Sequence, residues 1–408
     1  MIRVEKIIPG GQALGTDADG KKIFFWNALP EETVSEYRVT KNKSHFTEAV
    51  ALQIINPSKF RVNPKDDCFL STSPWQIIDY DYELELKQSL VVEFFREHQI
   101  DLKTPEIFTD FKDYFYRNKM EYSLYYNHDT EKIELCFHAR GSHRKIPIKQ
   151  SSIERPEIFQ AAQKIADDLN SRHEEARKYQ SLLLRCNQAG EVSGGLYENH
   201  QPHPTFENLT DEILGKTYSY SPNGFFQVNL PVYEMTLKEI KKHINTEKVL
   251  DLYAGVGTIG LSVAPDKLLT LVEVDKFAFS ELEKNCSCKV KISPSEGLKL
   301  GQAPLSGPEE GDIFTLNPIL AKSEEALNYV DLDSTVILDP PRAGCDKKLI
   351  NRLNEVKPET IIYLSCNPAT QARDTKLLLE NYKIKDVKIF NFFPHTPHIE
   401  NLVIFQKI

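Results

Sequence analysis

No run of apolar residues in this 408-residue chain approaches the roughly 20 needed to cross a bilayer, and Met1-Ile-Arg-Val-Glu-Lys-Ile-Ile-Pro-Gly10 has no signal-peptide core. A cytoplasmic protein with no membrane partner is expected. Cysteine is scarce as well. The seven present (68, 136, 186, 286, 288, 345 and 366) are scattered and odd in number, which excludes a disulfide framework and fits reduced thiols. Cys286 and Cys288 form one close pair with no second pair in metal spacing, and His200 and His203 have no cysteine or carboxylate cluster beside them. Neither is read as a metal site. Excess positive charge is also lacking: a formal net charge of -9 argues against unselective coating of nucleic acid, while leaving room for a local basic face. With 27% charged and 40% hydrophobic residues, the composition is that of an ordinary globular protein, too long for a single core.

Residues 1–58 read as short strands broken by turns, among them Ile2 to Ile8, Lys22 to Trp26, Val34 to Thr40 and Glu48 to Ile55, with Asp17-Ala-Asp-Gly20 as a hairpin signal. They suit a small OB-like β-barrel, a fold that binds oligonucleotides in some proteins and is an inert module in others. Residues 59–215 read as a central α+β domain. Asp81 to Ile100 has helical periodicity through Leu84, Leu90, Val91, Phe94 and Phe95, and a polar helix follows Pro156. Between them, Phe111 to Tyr126 interleaves aromatics with Arg117 and Lys119, and Ala139 to Lys149 is basic. Rings that stack bases beside cations that hold phosphates are what looped or single-stranded RNA requires; an aromatic sheet with a charged edge has the same composition.

Residues 216–408 change character, repeating strand and helix as a doubly wound, Rossmann-like α/β sheet does, with a final hairpin partly antiparallel. In such sheets ligands bind at the carboxyl ends of the strands. Lys248 to Leu252 runs into Tyr253-Ala-Gly-Val-Gly257, where Gly255 and Gly257 let backbone approach a ligand ahead of a helix. Leu268 to Asp275 ends in carboxylates placed to accept from the ribose hydroxyls of an adenosine ligand, Glu273 first and Asp275 in reserve. Thr335 to Asp339 ends in an acid followed by Pro340-Pro-Arg342, and residues 297–330 before it read as a variable connection with little chemistry. Ile361 to Ser365 then delivers Cys366 to a strand-to-helix turn, with Pro368 suited to the first helical turn and the backbone N–H groups there favouring a thiolate.

These residue types fit one chemistry. Methylating the C5 position of a pyrimidine requires a nucleophile to add at C6, a methyl donor to meet the resulting enolate, and a base to remove the C5 proton. Cys366 and Glu400 could supply nucleophile and base, with an adenosine site at Gly255, Gly257 and Glu273. His395 and His398 with Cys366 could hold zinc, but zinc leaves the adenosine site unexplained.

The combination Phe226-Gln-Val-Asn229, Asp251-Leu-Tyr-Ala-Gly-Val-Gly257, Asp339-Pro-Pro-Arg342, Ser365-Cys-Asn-Pro368 with Arg373-Asp374, and Phe393-Pro-His-Thr-Pro-His-Ile-Glu400 resembles the RNA uracil-C5 methyltransferase family, class I enzymes that use S-adenosylmethionine. The resemblance extends to residues 1–58, which are similar to the TRAM domain carried by many members. It implies that Cys366 is the nucleophile and Glu400 the proton acceptor, and that Gln227, Tyr253, Thr258, Glu273 and Asp339 contact the cofactor, Thr258 standing where relatives often have Asn. The target uridine would be flipped from its stack, at a cost of a few kcal/mol that is smaller in a loop. Two departures stand out. Many relatives hold an iron–sulfur cluster after the barrel, but Arg61 to Gln76 retains only Cys68, so no cluster is expected and packing around Trp75 is expected instead. Ala254 replaces a frequent Cys, with no expected effect on methyl transfer.

The TRAM-like barrel favours 23S rRNA as substrate over tRNA. An RNA cytosine-C5 methyltransferase is a weaker reading, because those enzymes place a cysteine directly after the Asp-x-Pro turn, where Arg342 stands here, with Cys345 further on. A non-catalytic RNA-binding protein is weaker still, given Cys366 and Glu400. A monomer is expected, although no sequence feature fixes the oligomeric state.

Overall fold

The computed structural model describes residues 1–203, 206–287 and 316–408. The chain divides into two compact units that do not follow it in order: Met1–Leu209, Gln227–Val232 and Ile389–Glu400 form the first, and Thr210–Phe226, Tyr233–Lys388 and Asn401–Ile408 the second. Among the described residues no helix is long and apolar enough to cross a membrane.

The first unit opens with β1 (Ile2–Ile7), β2 (Ala13–Thr16), β3 (Lys22–Trp26), β4 (Thr33–Asn42) and β5 (Phe46–Ile55), closed into a barrel in the order β1-β2-β3-β5-β4. Alternation drives the closure: Ile2, Val4 and Ile7 of β1 and Ile23 and Phe25 of β3 are buried while their neighbours are less so. The β3–β5 pairing is parallel and the others are antiparallel, as in OB-type barrels. At the barrel's exit the buried Glu32 accepts a two-pronged bond from Arg61, 2.6 Å from Nε and 2.8 Å from Nη2, together with the N–H groups of Leu29 and Ser58. The exit is thereby pinned. Beyond it comes a single turn, α1 (Phe69–Thr72), and the neighbouring segment packs around Trp75 as expected. The indole N–H donates to the Gly11 carbonyl at 3.0 Å, and the Gln76 amide donates to Asp66 and Ser73.

Helix α2 (Tyr80–Glu97) is capped by Asp79 and buries Leu90, Val91, Phe94 and Phe95 as its periodicity predicts. Leu84 is only half-buried; the positions wholly buried in its place are Glu83 and Lys87. Their side chains pair at 2.7 Å, and Lys87 also donates to Asn391 Oδ1 at 2.7 Å and the Phe393 carbonyl at 3.0 Å. Both Glu83 oxygens accept from the His395 N–H, at 3.0 and 2.9 Å. An expected helix face is thus a buried ionic anchor for residues 391–395.

After a short strand, β6 (Glu106–Phe108), the chain builds β7 (Lys119–Asn127), β8 (Lys132–His138), β9 (Lys145–Pro147), α3 (Pro156–Ser171), β10 (Ser181–Cys186), β11 (Val192–Glu198) and β12 (Gln201–His203), with sheet order β12-β11-β10-β7-β8-β9. Ile158, Ala162, Ala166 and Leu169 make one stripe on α3 and join a core with Tyr122, Leu124, Leu135, Leu182 and Leu184. The aromatic block from Phe111 to Tyr126 therefore divides. Tyr116 and Tyr122 are core residues, whereas Phe111, Phe115, Tyr125 and Tyr126 are exposed. Lys119 is largely removed from water, which lowers its pKa to about 8.

The second unit contains the hairpin β13 (Leu209–Ile213) and β14 (Lys216–Tyr220) from Thr210 on, most of α4 (Leu230–Lys241), and then β15 (Lys248–Leu252), α5 (Thr258–Val263), β16 (Leu268–Glu273), α6 (Lys276–Ser287), β17 (Leu316–Leu320), β18 (Ser334–Leu338), α7 (Lys347–Val356), β19 (Thr360–Ser365), α8 (Pro368–Leu378), and β20 (Tyr382–Phe390) up to Lys388 and β21 (Glu400–Lys407) from Asn401. The strands lie in the order β17-β16-β15-β18-β19-β21-β20. From β17 to β19 the pairing is parallel. The strands β18 and β19 are buried along their whole length, as a sheet covered on both faces requires. The antiparallel return is β21, registered on β19 from Thr360 opposite Gln406 to Ser365 opposite Asn401. Strand β17 corrects the expectation of a connection over 297–330: Leu316–Leu320 is the sheet's edge, the position where a strand tolerates Pro318. Residues 297–315 of that span lie outside the described residues.

Two predictions follow from the first unit. Lys87→Ala, which leaves Glu83 buried without its partner, is expected to lower stability by about 3–5 kcal/mol, and a Glu83→Leu/Lys87→Met double substitution to recover much of that loss in chemical denaturation. Burial pushes the Glu154 carboxyl up to about 7 against the hydrogen bond from the Tyr122 hydroxyl. Folding then tightens its hold on the proton. Its contribution is full below the unfolded value of about 4.3, declines as pH rises toward 7, and is constant above that. Glu154→Gln should therefore gain stability over wild type between pH 5 and 8; parallel pH profiles would contradict this.

Candidate active site

Parallel strands place their carboxyl ends along one edge, so the turns after β15, β16, β18 and β19 line one crevice of the second unit. After β15, Tyr253 adopts a left-handed φ of 66°, and its hydroxyl, bonded to Ser323, is held in its neutral form chiefly by burial. The glycines that follow differ in purpose. Around Gly255 the space where a Cβ would stand is open, whereas at Gly257 a Cβ would come within 2.5 Å of Leu282 and 2.8 Å of Leu261. Gly257 thus serves packing and a φ of +87° at the start of α5 rather than approach to a ligand. Thr258 is buried beside the fully enclosed Tyr233 hydroxyl.

Glu273 ends β16 with its carboxylate fixed by three backbone donors. Gly255 N–H reaches Oε2 at 2.8 Å, and the N–H groups of Val274 and Asp275 reach Oε1 at 2.8 and 2.7 Å. A carboxylate offers about four lone-pair sites, so one remains for a hydroxyl. Asp275, the reserve candidate, is occupied as the cap of α6, accepting from Phe277 and Ala278 N–H. Asp251 joins these carboxylates, although its mid-strand position gives no sign of it in the sequence. It is wholly buried on β15, with Oδ2 accepting from Gly260 N–H at 2.8 Å and Oδ1 without a partner. Burial, then the charges of Asp339 and Glu273, push its pKa up to about 7 against that hydrogen bond. Asp339, just beyond β18, is likewise pushed up to about 7 by loss of water.

Cys366 stands between the end of β19 and the start of α8, with Asn367 as the helix cap and Pro368 in the first turn. It is half-buried, while Cys68, Cys136, Cys186, Cys286 and Cys345 are buried. The Cys68 thiol is raised to about 12, burial being the main cause, and the Cys286 thiol to about 11 for the same reason. The turn after Asp339 is tied to the helix that follows Cys366. Asn367 Nδ2 and the Thr370 hydroxyl donate to the Arg342 carbonyl at 2.8 and 3.1 Å, and Arg373 donates to the Ala343 carbonyl at 3.0 Å. Asp374, 1% exposed, accepts from the Tyr363 hydroxyl at 2.8 Å, Cys345 N–H at 2.9 Å and Arg373 at 2.7 Å. One buried carboxylate therefore joins β19, α8 and the Asp339 turn. Its removal strands buried donors. Asp374→Ala is expected to cost about 1–3 kcal/mol of stability in denaturation, more than Asp374→Asn, which keeps one acceptor.

Gln227 and Glu400 belong to the first unit. Gln227 is buried and its carbonyl accepts from Asn118 Nδ2 at 3.0 Å; Glu400 opens β21 and is 5% exposed. His395 is engaged locally, its Nε2 lying 3.1 Å from Asp113 Oδ2. Among the described residues the group that could share a metal ion is Glu239, His243 and Asp386, none of them a candidate from the sequence. Lys388 already stands 2.7 Å from Glu239 and 3.4 Å from Asp386.

A doubly wound sheet with these strand ends defines a Rossmann-like class I methyltransferase fold, here in a chain that also carries an OB-type barrel. The sequence pattern of the family described as tRNA (Uracil-5-)-methyltransferase matches residues 207–408. An uncharacterized RNA methyltransferase of Enterococcus faecalis is 29% identical, covering 100% of this chain and 97% of that protein, and one of Treponema denticola is 27% identical, covering 100% and 99%. Among solved structures, the Pyrococcus abyssi tRNA (uracil-54, C5)-methyltransferase in complex with S-adenosyl-L-homocysteine superposes with a TM-score of 0.71 at 23% identity, covering 99% of this chain and all of that one. Residues 207–408 therefore carry the sequence pattern of that family, and the relatives that match this chain over nearly their whole length are RNA methyltransferases.

Proposed function

We propose that this protein methylates C5 of a specific uridine in RNA through a covalent bond between Cys366 and C6 of the uracil. The observation that carries the reading is the placement of Cys366, a half-buried thiol at the turn between a buried strand and a helix N-terminus. S-adenosylmethionine, when bound, supplies an electrophilic methyl group. The residues present fit it: Glu273 keeps a lone pair for a ribose hydroxyl, and Gly255 leaves its turn open. Gln227, Tyr253, Gly257, Thr258 and Asp339 complete the proposed cofactor set, Gly257 through the shape of the turn.

In this reading the Cys366 thiolate adds to C6 and the electron pair moves through C5 to the O4 enolate. Carbon 5 then takes the methyl group, the Glu400 carboxylate removes the C5 proton, and the electrons of that C–H bond expel the thiolate. Asn367, Thr370 and Asp374 keep the Asp339 turn and the Cys366 turn in one geometry.

For the RNA we favour 23S rRNA, on the TRAM-like barrel of residues 1–58, which we read as one domain beside a central RNA-binding domain over 59–215 and the methyltransferase domain over 216–408. Transfer RNA is the second reading, supported by a tRNA enzyme that matches 99% of the chain, barrel included. Mass spectrometry of rRNA and tRNA from a cell lacking the gene tests both. Loss of one 5-methyluridine, restored by wild type and not by Cys366→Ala, is the expected result, and the RNA class that loses it names the substrate. Unchanged 5-methyluridine in both classes would overturn the proposal.

A further inference from the structure

His395 is a buried imidazole with no part in the proposed chemistry, and it stands five residues before Glu400 in the first unit. Its backbone is left-handed, with a φ of 59°, where glycine or asparagine is the ordinary occupant and other side chains are strained. The ring therefore contributes something that a glycine would not. Its Nε2 lies 3.1 Å from Asp113 Oδ2, and because a carboxylate only accepts, Nε2 carries the proton. Its Nδ1 faces Glu83 Oε2 at 3.6 Å, and the Tyr114 ring packs against it with 4.3 Å between centroids. Lys65 completes the group, its ammonium 3.5 Å from the Tyr114 ring centroid. Burial would raise the Asp113 carboxyl, but the bond from His395, with a smaller contribution from Lys65, brings it below its ordinary value.

The backbone of His395 is held twice, by its N–H on Glu83 and by Trp75 N–H on its carbonyl. Two points leave an axis of rotation, and the ring bond to Asp113 is the third point that removes it. The chain beyond has little slack. Pro394 and Pro397 restrict φ on either side, the Thr396 hydroxyl donates to the Phe393 carbonyl at 2.8 Å, and His398 N–H donates to Thr396 Oγ1 at 3.3 Å. Pro397 packs so closely on Gly11 that a Cβ there would lie 2.2 Å from it. After this turn comes the buried Ile399, and then Glu400. From this geometry we propose that His395 is a positioning residue for proton removal: its ring, anchored on Asp113, sets the direction in which residues 396–399 present Glu400 to the C5 proton. This role presupposes the proposed parts of Cys366 and Glu400 and gives the imidazole no proton to transfer. In the step it serves, Glu400 takes the proton from C5, the C–H electron pair re-forms the C5–C6 double bond, and the C6–S bond breaks to release the Cys366 thiolate. Slow proton removal leaves methylated RNA bonded to the protein.

The test uses the full-length protein, S-adenosylmethionine tritiated in its methyl group, and total RNA from a cell lacking the gene. Label is followed into a denaturation-resistant protein–RNA species and from there into free RNA. Glu400→Gln is the reference and is expected to retain label in the bound species. His395→Ala and Asp113→Ala are expected to take label into that species at close to the wild-type rate and to release it roughly tenfold to a hundredfold more slowly. His395→Gln, whose amide reaches to where Nε2 stands, should restore most of the release rate. The Asp113 side chain is 35% exposed, so its replacement keeps the test open if His395→Ala does not fold. Entry and release slowed alike, with no recovery in His395→Gln, would reduce the ring to a structural role and overturn the proposal. Wild-type release from His395→Ala and Asp113→Ala, while Glu400→Gln retains its label, would overturn it as well and leave the proposed function standing. Prompt release from Glu400→Gln would instead remove the proposed role of Glu400, and that of His395 with it.

Discussion

The ammonium of Lys87, closed off from water, holds the segment of chain that leads to Glu400. A charge in that position is tolerated only because Glu83, Asn391 Oδ1 and the Phe393 carbonyl surround it, while the other bonds of Glu83 run to the backbone of His395. Trp75 N–H and the Tyr116 hydroxyl add bonds to the carbonyls of His395 and Pro394. The irregular stretch between β20 and β21 would otherwise have little reason to keep one conformation. It is fixed by a helix some three hundred residues earlier in the chain, as the separations between Lys87 and its acceptors record. The proposed proton acceptor therefore inherits its position from an electrostatic arrangement that contributes specificity more than stability.

In the second unit the constraint is of another kind. Parallel strands deliver a carboxylate or a thiol to the end of each turn, and the turns are tied to one another by backbone bonds rather than by bulk. Glu273 clasps the glycine turn, and Asp374 clasps the turn after Asp339. Burial raises the carboxyls of Asp251 and Asp339, and fixed groups around such positions can stabilise charge that develops in a reaction.

The residues legible in the sequence are those whose strand ends announce themselves: Glu273, Asp339 and Cys366 each close an apolar run, and the structure places each at the carboxyl end expected. Barrel and Rossmann-like sheet were legible for the same reason, since alternation and buried runs are local patterns. What escaped was decided by partners far away in the chain. Glu83 and Lys87 look like any solvated helix face until the 391–395 segment is folded against them, and Tyr122 looks like a base-stacking ring until α3 and the sheet enclose it, as does Tyr116 until its hydroxyl reaches the Pro394 carbonyl. The edge strand at Leu316–Leu320 was hidden by Pro318 and by its position after a glycine- and proline-rich stretch. Asp374, part of a recognised motif, had no readable task until Cys345 and Tyr363 were seen to donate to it. The choice between rRNA and tRNA rests on the barrel alone, a feature that a tRNA enzyme of the same fold also covers.

The central claim is that Cys366 bonds to uracil C6 during methyl transfer, and the most direct measurement uses RNA in which the target uridine carries fluorine at C5. Fluorine cannot leave as a proton does, so the adduct formed after methylation cannot resolve. With S-adenosylmethionine present, wild type should give a denaturation-resistant protein–RNA species whose mass equals protein plus RNA plus one methylene unit, mapping to the peptide that contains Cys366, and Cys366→Ala should give none. Efficient methylation of unsubstituted RNA by Cys366→Ala, or an adduct on another residue, would contradict the account.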